Sequence, residues 1–556
     1  MKKYLTHGAG LFLLILLLIS LASYLIGHML ESQIKEQLKQ ITIAKDADNY
    51  KIDLASFDIH WSEVMADASG ISIQPKFSSD KSQLFGNIDR VQVKIGWGFW
   101  RAFFGEVHLE NMQFDKPELT FYHRNQAQTN TPERINVIAQ LQENVSSVGL
   151  QNFSIKDGKI TIIDVDKKDS TLFFSTMLNL RFEGLSTTLD QNKLKVHCDS
   201  VGFQYRHFQL LLQKANYLLT AKNIELNSEG TNFQLDSLQL SSTISVQERS
   251  RLLGHQTDQL NVHVAHATGK YLDFDAFLSS SLLHLGLMEI DSAHLTLKRD
   301  KNFPENKRTK VSPLKALARS EFQFILDTLK VAHSKIDYLE KDPKSDHYGN
   351  VDLDAVNMTL YGLANPAQTA SLKGEFSTKF YQIAPLQMSF SMPYQPEQLL
   401  MTADIKVGGF PIKIFDAFCS PALGVEFPKG EVIASTIHLE LGRNIGRGNM
   451  GLYYKDLKIK LVNPNTESQN FGKKAGSWLA NHLLLKNHNY RKKEHRNYPL
   501  YYERQFNKSI IAYTVKTIFS GLAPTFTGID ITKHKRKKAH KKPSKHKREA
   551  HQQHQK

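Results

Sequence analysis

From about residue 50 onward the chain alternates apolar and polar residues with a period of two, the pattern of β-strands with one dry and one wet face. Val91, Val93 and Ile95 alternate with Gln92 and Lys94, and Val107 and Leu109 with His108 and Glu110. Leu238 and Leu240 stand in a polar background after Phe233 and Leu235, and Val351 and Leu353 repeat the pattern before Met358 and Leu360. These apolar positions are the candidate lining of one sheet face. Such strands recur roughly every ten to fourteen residues, broken by Asp, Asn, Gly and Lys, as at Lys156-Asp157-Gly158-Lys159.

Three segments share a shape: Val107–Tyr122, Val148–Val165 and Leu326–Leu339. Each reads as a strand, a polar break around Gly, Pro or Ser, and a second strand, which predicts a β-hairpin used at least three times. Repeated β units imply a solenoid, a propeller or an extended sheet, and the lack of a fixed period argues against the propeller. Helical spacing is confined to Pro132–Val145, with Thr131 as its N-cap, Ser312–Arg319, Lys473–Lys486 and Ser509–Leu522. Lys301–Val311 reads as a loop.

The 20 residues from Leu11 to Leu30 carry no formal charge, enough helix to cross a hydrocarbon core of about 30 Å. Leu11, Leu14, Ile15, Leu18, Leu21, Leu25 and Leu30 are its anchoring apolar residues, and Lys2 and Lys3 favour a cytoplasmic N-terminus with the remainder exported. A cleaved signal peptide wants a shorter apolar run and a small-x-small site, and Leu21-Ala22-Ser23 is a poor one. Glu31–Ile41 extends the same helix with polar residues.

Composition narrows the class. At 41% hydrophobic and 10% aromatic the 556 residues are neither disordered nor polytopic. Two cysteines make no disulfide framework, and Cys198 and Cys419 read as buried thiols. The net charge of +15 suggests nucleic acid until it is located. Residues 533–556 hold +10 and residues 473–516 hold +8, which leaves −3 for the remainder. The body is near neutral, and the basic character belongs to one end.

The run from Gly105 to Phe121, with Pro117 between its strands, resembles the N-terminal signature of AsmA-like proteins, and Arg134–Leu141 followed by Val148–Asp164 resembles what comes next in that family. Gly446-Arg447-Gly448-Asn449-Met450, continuing to Tyr454, Asp456 and Leu457, resembles a strand pair near the C-terminus of such proteins. The basic tail after Ile531 departs from the family pattern. The resemblance implies an inner-membrane anchor, a periplasmic body, and an elongated, bent, largely antiparallel β-sheet groove that carries phospholipid toward the outer membrane.

Elementary physics reaches part of the same place. A one-sided sheet must hide its apolar face, and the predicted helices are too few to cover it. A closed sandwich or solenoid core does so, and so does a groove filled by acyl chains, which need no directional partner. No cofactor, metal or catalytic constellation is expected. His263-x-x-His266 on a strand points its rings to opposite faces. Ser78-x-x-Lys81 and Ser312-x-x-Lys315 lack the companion motifs of a Ser/Lys enzyme, and Asp164/Asp166 and Asp352/Asp354 read as turn or solvent-face residues.

In the basic end, Trp478, Arg491, Lys492, Lys493, Arg496 and Arg504 interleave cations with Tyr490, Tyr498 and Phe506, which suits a membrane interface, single-stranded nucleic acid or a solvated surface. An exported location argues against nucleic acid. The expected organisation is an anchor at 1–41, β-rich regions at 42–300 and 312–472 around the 301–311 loop, a helical basic end at 473–530 and a disordered tail at 531–556. The expected activity is non-enzymatic: phospholipid carriage, with an anionic outer-membrane surface or a partner protein at the C-terminal end, or an anchored envelope scaffold holding a protein partner.

Overall fold

The computed structural model describes residues 50–60, 62–76, 82–95, 106–124, 147–167, 170–190, 193–228, 230, 232–280, 282–319, 322–343, 345, 347–395, 398–462, 486–490, 495–530 and 533. The chain forms two compact units: residues 1–240 with 266–284, and residues 241–265 with 285–556, the latter containing the loop at 301–311. It is a mainly β protein of long, mostly antiparallel strands. Among the described residues no helix is long and apolar enough to cross a membrane, and the predicted span at 11–30 with its continuation at 31–41 lies outside them.

In the first unit the strands are β1 (Tyr50–Asp53), β2 (Ser56–His60), β3 (Met65–Pro75), β4 (Gln83–Lys94), β5 (Glu106–Asp115), β6 (Glu118–His123), β7 (Ser147–Asp164), β8 (Ser170–Asp190), β9 (Lys193–His197), β10 (Ser200–Leu212) and β11 (Tyr217–Asn227). After them come β12 (Asn232–Ser242), helix α1 (Val246–Leu253), β13 (Asp258–Asp273), helix α2 (Phe274–Ser280) and β14 (Leu282–Asp300). The second unit continues with α3 (Pro313–Leu317), β15 (Gln323–Lys341), β16 (Tyr348–Asn365), β17 (Ser371–Phe380), β18 (Ala384–Pro393), β19 (Leu399–Val407) and β20 (Phe410–Pro411). It ends with α4 (Asp416–Leu423), β21 (Val425–Gly442), β22 (Ile445–Leu461), β23 (Tyr498–Glu503) and α5 (Ile510–Thr527).

The three predicted hairpins are not hairpins. β5 and β6 run on in the same direction, both paired antiparallel to β4 and parallel to β7. Val148–Asp164 lies within the single strand β7, and Leu326–Leu339 lies within the single strand β15. What reads as a turn in each is one residue in the left-handed region: Lys116, Asp157 and His333. Inside a strand, as at Asp157 and His333, such a residue makes a β-bulge, which leaves two residues facing one on the neighbour and bends the strand without reversing it, while Lys116 stands between β5 and β6, whose register with β4 is continuous. Polar residues beside Gly, Pro or Ser serve a turn and a bulge equally well, so composition alone does not separate the two.

The bulge recurs. Lys116, Asp157, Met177, Asn223, Ser237, Tyr271, Ser292, His333, Ala355 and Asp456 all have φ between 45° and 60°. In each case the residues two before, one after and three after are apolar or small, as in Ile155-x-Asp157-Gly158-x-Ile160 and Leu353-x-Ala355-Val356-x-Met358. The extra residue shifts the parity of the alternation, so an apolar spacing of three keeps both sides of the bulge on the same face. Neighbouring bulges lie side by side. Lys116 N–H donates to the Lys156 carbonyl at 2.8 Å, Gly158 pairs with Leu178, and Ser334 pairs with Val356. The β7–β8 and β15–β16 pairs even share the same bracing. Asp157 N–H donates to Asn179 Oδ1 at 2.8 Å, and His333 N–H donates to Asn357 Oδ1 at 3.3 Å. Each asparagine stands two residues after its own strand's bulge residue.

The predicted helix at Ser312–Arg319 is the short α3, and that at Ser509–Leu522 is α5, whose N-cap Ser509 accepts from Ala512 N–H at 3.2 Å. Those at Pro132–Val145 and Lys473–Lys486 fall outside the described residues apart from Lys486. Helix α1 went unpredicted, although Ser245 accepts from Glu248 N–H and Gly254 closes its end at φ 71°.

Candidate functional site

Register turns the alternation into continuous apolar ladders. In the first unit one rung runs Ala68–Val91–Phe114–Ile155–Leu180–Phe203–Leu226 across β3, β4, β5, β7, β8, β10 and β11. A second runs Ala66–Val93–Met112–Phe153–Phe182–Val201. Beyond the bulges, Leu84–Phe121–Ile162–Phe173–Leu210–Leu219 forms another. The rung between the first two is polar: Asp67–Gln92–Gln113–Ser154–Arg181. The sheet therefore has one apolar and one polar face.

Of the sequence-predicted lining residues, Val91 and Leu109 belong to the first unit's buried cluster, and Val93 and Ile95 pack against it. Val107 pairs with Val148 in β5, and its side chain lies outside the described set. Leu238 and Leu240 on β12 are half-buried and not part of that cluster. Val351 and Leu353 on β16 are half-buried and pair with Tyr338 and Ile336. Sequence reasoning missed Phe114, Phe153, Ile155, Leu180, Phe182 and Phe203, which carry the middle of the ladders. The signal that finds Phe114, Ile155 and Leu180 is the apolar spacing of three around each bulge.

The ladder is buried at its β4–β7 end and half-exposed at Leu180, Phe182, Phe203 and Leu226. Every residue of the buried cluster, and every partly buried residue packed against it, comes from strands or their immediate ends, so among the described residues no helix is seated on this face.

The second unit repeats the ladder but covers it. Leu329–Leu360–Gly374–Phe390–Ala403–Leu439–Gly448–Leu500 and Val331–Met358–Phe376–Met388–Ile405–Ile437–Met450–Tyr498 cross eight strands from β15 to β23. Here Ile510, Tyr513, Ile518, Leu522 and Phe526 of α5 belong to or pack on the cluster, as do Leu314 of α3 and Phe415 before α4. Close approach of α5 depends on two glycines. A Cβ at Gly446 would lie 2.4 Å from Thr517 Oγ1, and one at Gly521 would lie 2.3 Å from Leu500 Cδ2. The helix also seals the edge of β23, where Ser520 Oγ accepts from Tyr501 N–H at 3.0 Å.

The predicted basic surface resolves differently. Trp478, Arg491, Lys492 and Lys493 lie outside the described residues. Arg496 turns inward. Its guanidinium donates to the carbonyls of His488 at 2.6 Å and Thr525 at 3.1 Å and to Tyr454 Oη at 3.3 Å, while its N–H donates to buried Asn489 Oδ1. These carbonyls include the last turn of α5, so Arg496 acts as a cation at a helix C-terminus. Arg504 lies over the rings of Phe506 and Tyr513, at 5.2 and 5.8 Å, and burial pulls its pKa below the ordinary value. Both residues are half-buried.

On the polar face, cross-strand histidine–aspartate pairs recur at 2.7 Å: His266 with Asp236, His333 with Asp291, His294 with Asp337 and His438 with Asp404. His263 and His266 on β13 are both exposed. Among the described residues no group of three or more His, Cys, Asp or Glu side chains could hold a metal. Both cysteines are free, and burial pushes the Cys419 thiol up to about 12. No protein-family model and no curated protein matches the chain.

Proposed function

We propose that this is a membrane-anchored, exported protein that carries phospholipid acyl chains along the apolar face of its β sheet, in the manner of the AsmA-like proteins it resembles. On this reading residues 11–30 hold the inner membrane, and the body is an elongated groove in the periplasm serving outer-membrane biogenesis. The observation that supports it most is the set of uninterrupted apolar ladders in the first unit, with no helix seated on them among the described residues. Acyl chains suit such a surface because each buried methylene contributes about 0.8 kcal/mol and asks for no directional partner. Equivalent rungs, one strand apart, offer a chain similar environments as it moves. The ladders need no cofactor and no catalytic group.

The test is a photo-crosslinkable residue at Phe203, on the half-exposed part of the ladder, and another at Arg181, on the polar face, in the full chain in native membranes. Phospholipid adducts at position 203 and none at 181 are expected. Adducts to a protein at position 203, without lipid, would replace carriage with the scaffold reading. Adducts at neither would remove both.

A further inference from the structure

The loop at 301–311 is held more firmly than a linker requires. It contains no helix or strand, yet Gln256 N–H donates to the Pro304 carbonyl at 2.9 Å, and Lys310 N–H to the Phe506 carbonyl at 2.8 Å. Asn306 Nδ2 donates to His255 Nε2 at 3.1 Å, while Asn306 Oδ1 accepts from Arg308 N–H at 2.9 Å. Asn507 Nδ2 donates to Glu305 at 3.0 Å, and Lys508 pairs with the same carboxylate. These bonds join the C-terminal end of α1, the loop and the 504–508 turn into one surface of the second unit.

That surface displays apolar side chains beside free cations. Leu252 and Leu253, the last residues of α1, are 69% and 51% exposed, and Val311 and Phe506 are 42% and 45% exposed. The helix is seated by Val246 and Ser250, so its leucines do not serve its packing. Arg251, Lys307, Arg308 and Lys315 are exposed and take part in no ion pair among the described residues. The loop's other cations, Lys301 and Lys310, pair with Glu340 and Asp258. Of the nearby carboxylates, Glu305 and Asp258 are also paired with cations, which leaves Glu248, one turn before Leu252. From Lys301 to Arg319 there are six Lys and Arg and one acid, Glu305, a local excess of +5 in a body that is otherwise near neutral.

The combination says what would cover it. An anionic bilayer offers a negative surface above an apolar interior, and so receives both kinds of side chain at once. An acidic protein would satisfy the cations but leave the leucines in water unless it also supplied a pocket. Nucleic acid would want exposed rings for its bases, and Phe506 already has the Arg504 guanidinium over its ring. A loop fixed in advance also loses little freedom on docking.

We propose that the 301–311 loop and the end of α1 dock on an anionic phospholipid surface, with Leu252, Leu253 and Val311 entering the interface and Lys307 and Arg308 meeting the head groups. This goes beyond lipid carriage and does not rest on acyl chains occupying the ladders. It also places a membrane contact in the near-neutral body, away from the basic end first suspected.

The experiment holds the full chain in phosphatidylcholine nanodiscs and adds vesicles of brominated phosphatidylcholine, with or without about 30% phosphatidylglycerol. The readout is tryptophan fluorescence of Leu252→Trp, corrected by the parent chain. Strong quenching by the anionic vesicles is expected, weak quenching by the neutral ones, and a smaller difference at high salt. Lys307→Ser with Arg308→Ser should cut the anionic quenching about fivefold or more. Lys373→Ser with Lys406→Ser removes the same charge from exposed positions on β17 and β19 and should leave the quenching within about twofold. Should Leu252→Trp disturb α1, Val311→Trp reports from the loop instead. No quenching at either reporter overturns the proposal, as does quenching that is equal with and without phosphatidylglycerol, or equally reduced by both pairs of changes. A photo-crosslinkable residue at Leu253 that captures protein and no lipid in native membranes would assign the surface to a protein partner and overturn it too. Crosslinking at Phe203 is read separately, so lipid carriage and docking can fail independently.

Discussion

The two units are built from the same strand and closed in different ways. Both have apolar rungs in register over many strands, polar rungs between them and a left-handed residue inside several of the long strands. In the second unit α5 sits on the rungs so closely that two glycines are required, and α3 and Phe415 join it. In the first unit no helix joins the buried cluster of this face among the described residues, and Leu180, Phe182, Phe203 and Leu226 of its rungs are half-exposed. An apolar face is thus not in itself a core. What distinguishes a core from a binding surface is whether the chain spends further residues to cover it.

The largest expected effect comes from removing buried volume under the cover. Leu439→Ala, at a fully buried position in the second unit, should cost about 2–5 kcal/mol. Phe203→Ala, on the half-exposed rung of the first, should cost less than about 2 kcal/mol despite removing more atoms. Denaturant unfolding, with hydrogen exchange assigning each transition to its unit, reads both. A Phe203 effect equal to that of Leu439 would mean that the first unit is closed as tightly as the second.

Next in size is Gly521→Val, whose added atoms would meet Leu500. It should cost about 1–3 kcal/mol by forcing α5 away from the sheet. The loss should appear as faster exchange at the β23 amides and as self-association through the uncovered edge, with the first unit unaffected.

The bulges should behave alike in both units. Asp157→Val and His333→Val each place a β-branched residue in the left-handed region and should each cost about 1–2 kcal/mol. Glycine at either position should be nearly neutral, since relief of the backbone is offset by lost chain entropy. A cost confined to one unit would show that the bulges are not equivalent.

The smallest effect lies on the polar face. The hydrogen bond that His438 donates to Asp404 holds the His438 pKa above its ordinary value. Because the folded value is raised, the stabilisation is present below about pH 6.5 and fades as pH rises through the folded value. For Asp291, which the hydrogen bond from His333 holds below the carboxylate range, the window is reversed and stability is lost on acidification. Asp404→Asn should return the His438 midpoint, followed by nuclear magnetic resonance, toward that of a free imidazole.

Much of this was legible in the sequence. Alternation at Val91–Ile95 and Val351–Leu353 is enough to predict strands with one apolar face, and Ser509 marks the start of α5. Whether Lys156-Asp157-Gly158 reverses the chain was not legible, because that depends on Asn179, a partner 22 residues away. The roles of Arg496 and Arg504 were hidden for a similar reason. A guanidinium beside tyrosines reads as interfacial until the carbonyls that receive it are known.

The bulges also act as index marks for assembly. A chain of many similar amphipathic strands has a weakness: sliding one strand by two residues keeps every apolar side chain on the dry face, so the hydrophobic pattern cannot detect the error. A left-handed residue inside a strand, as in β7, β8, β15 and β16, makes that slip detectable. A shifted β8 would take Asn179 away from the Asp157 amide and set the bulge of β7 against a regular stretch of backbone. Each strand so marked therefore carries its own address, read by the neighbour it must join.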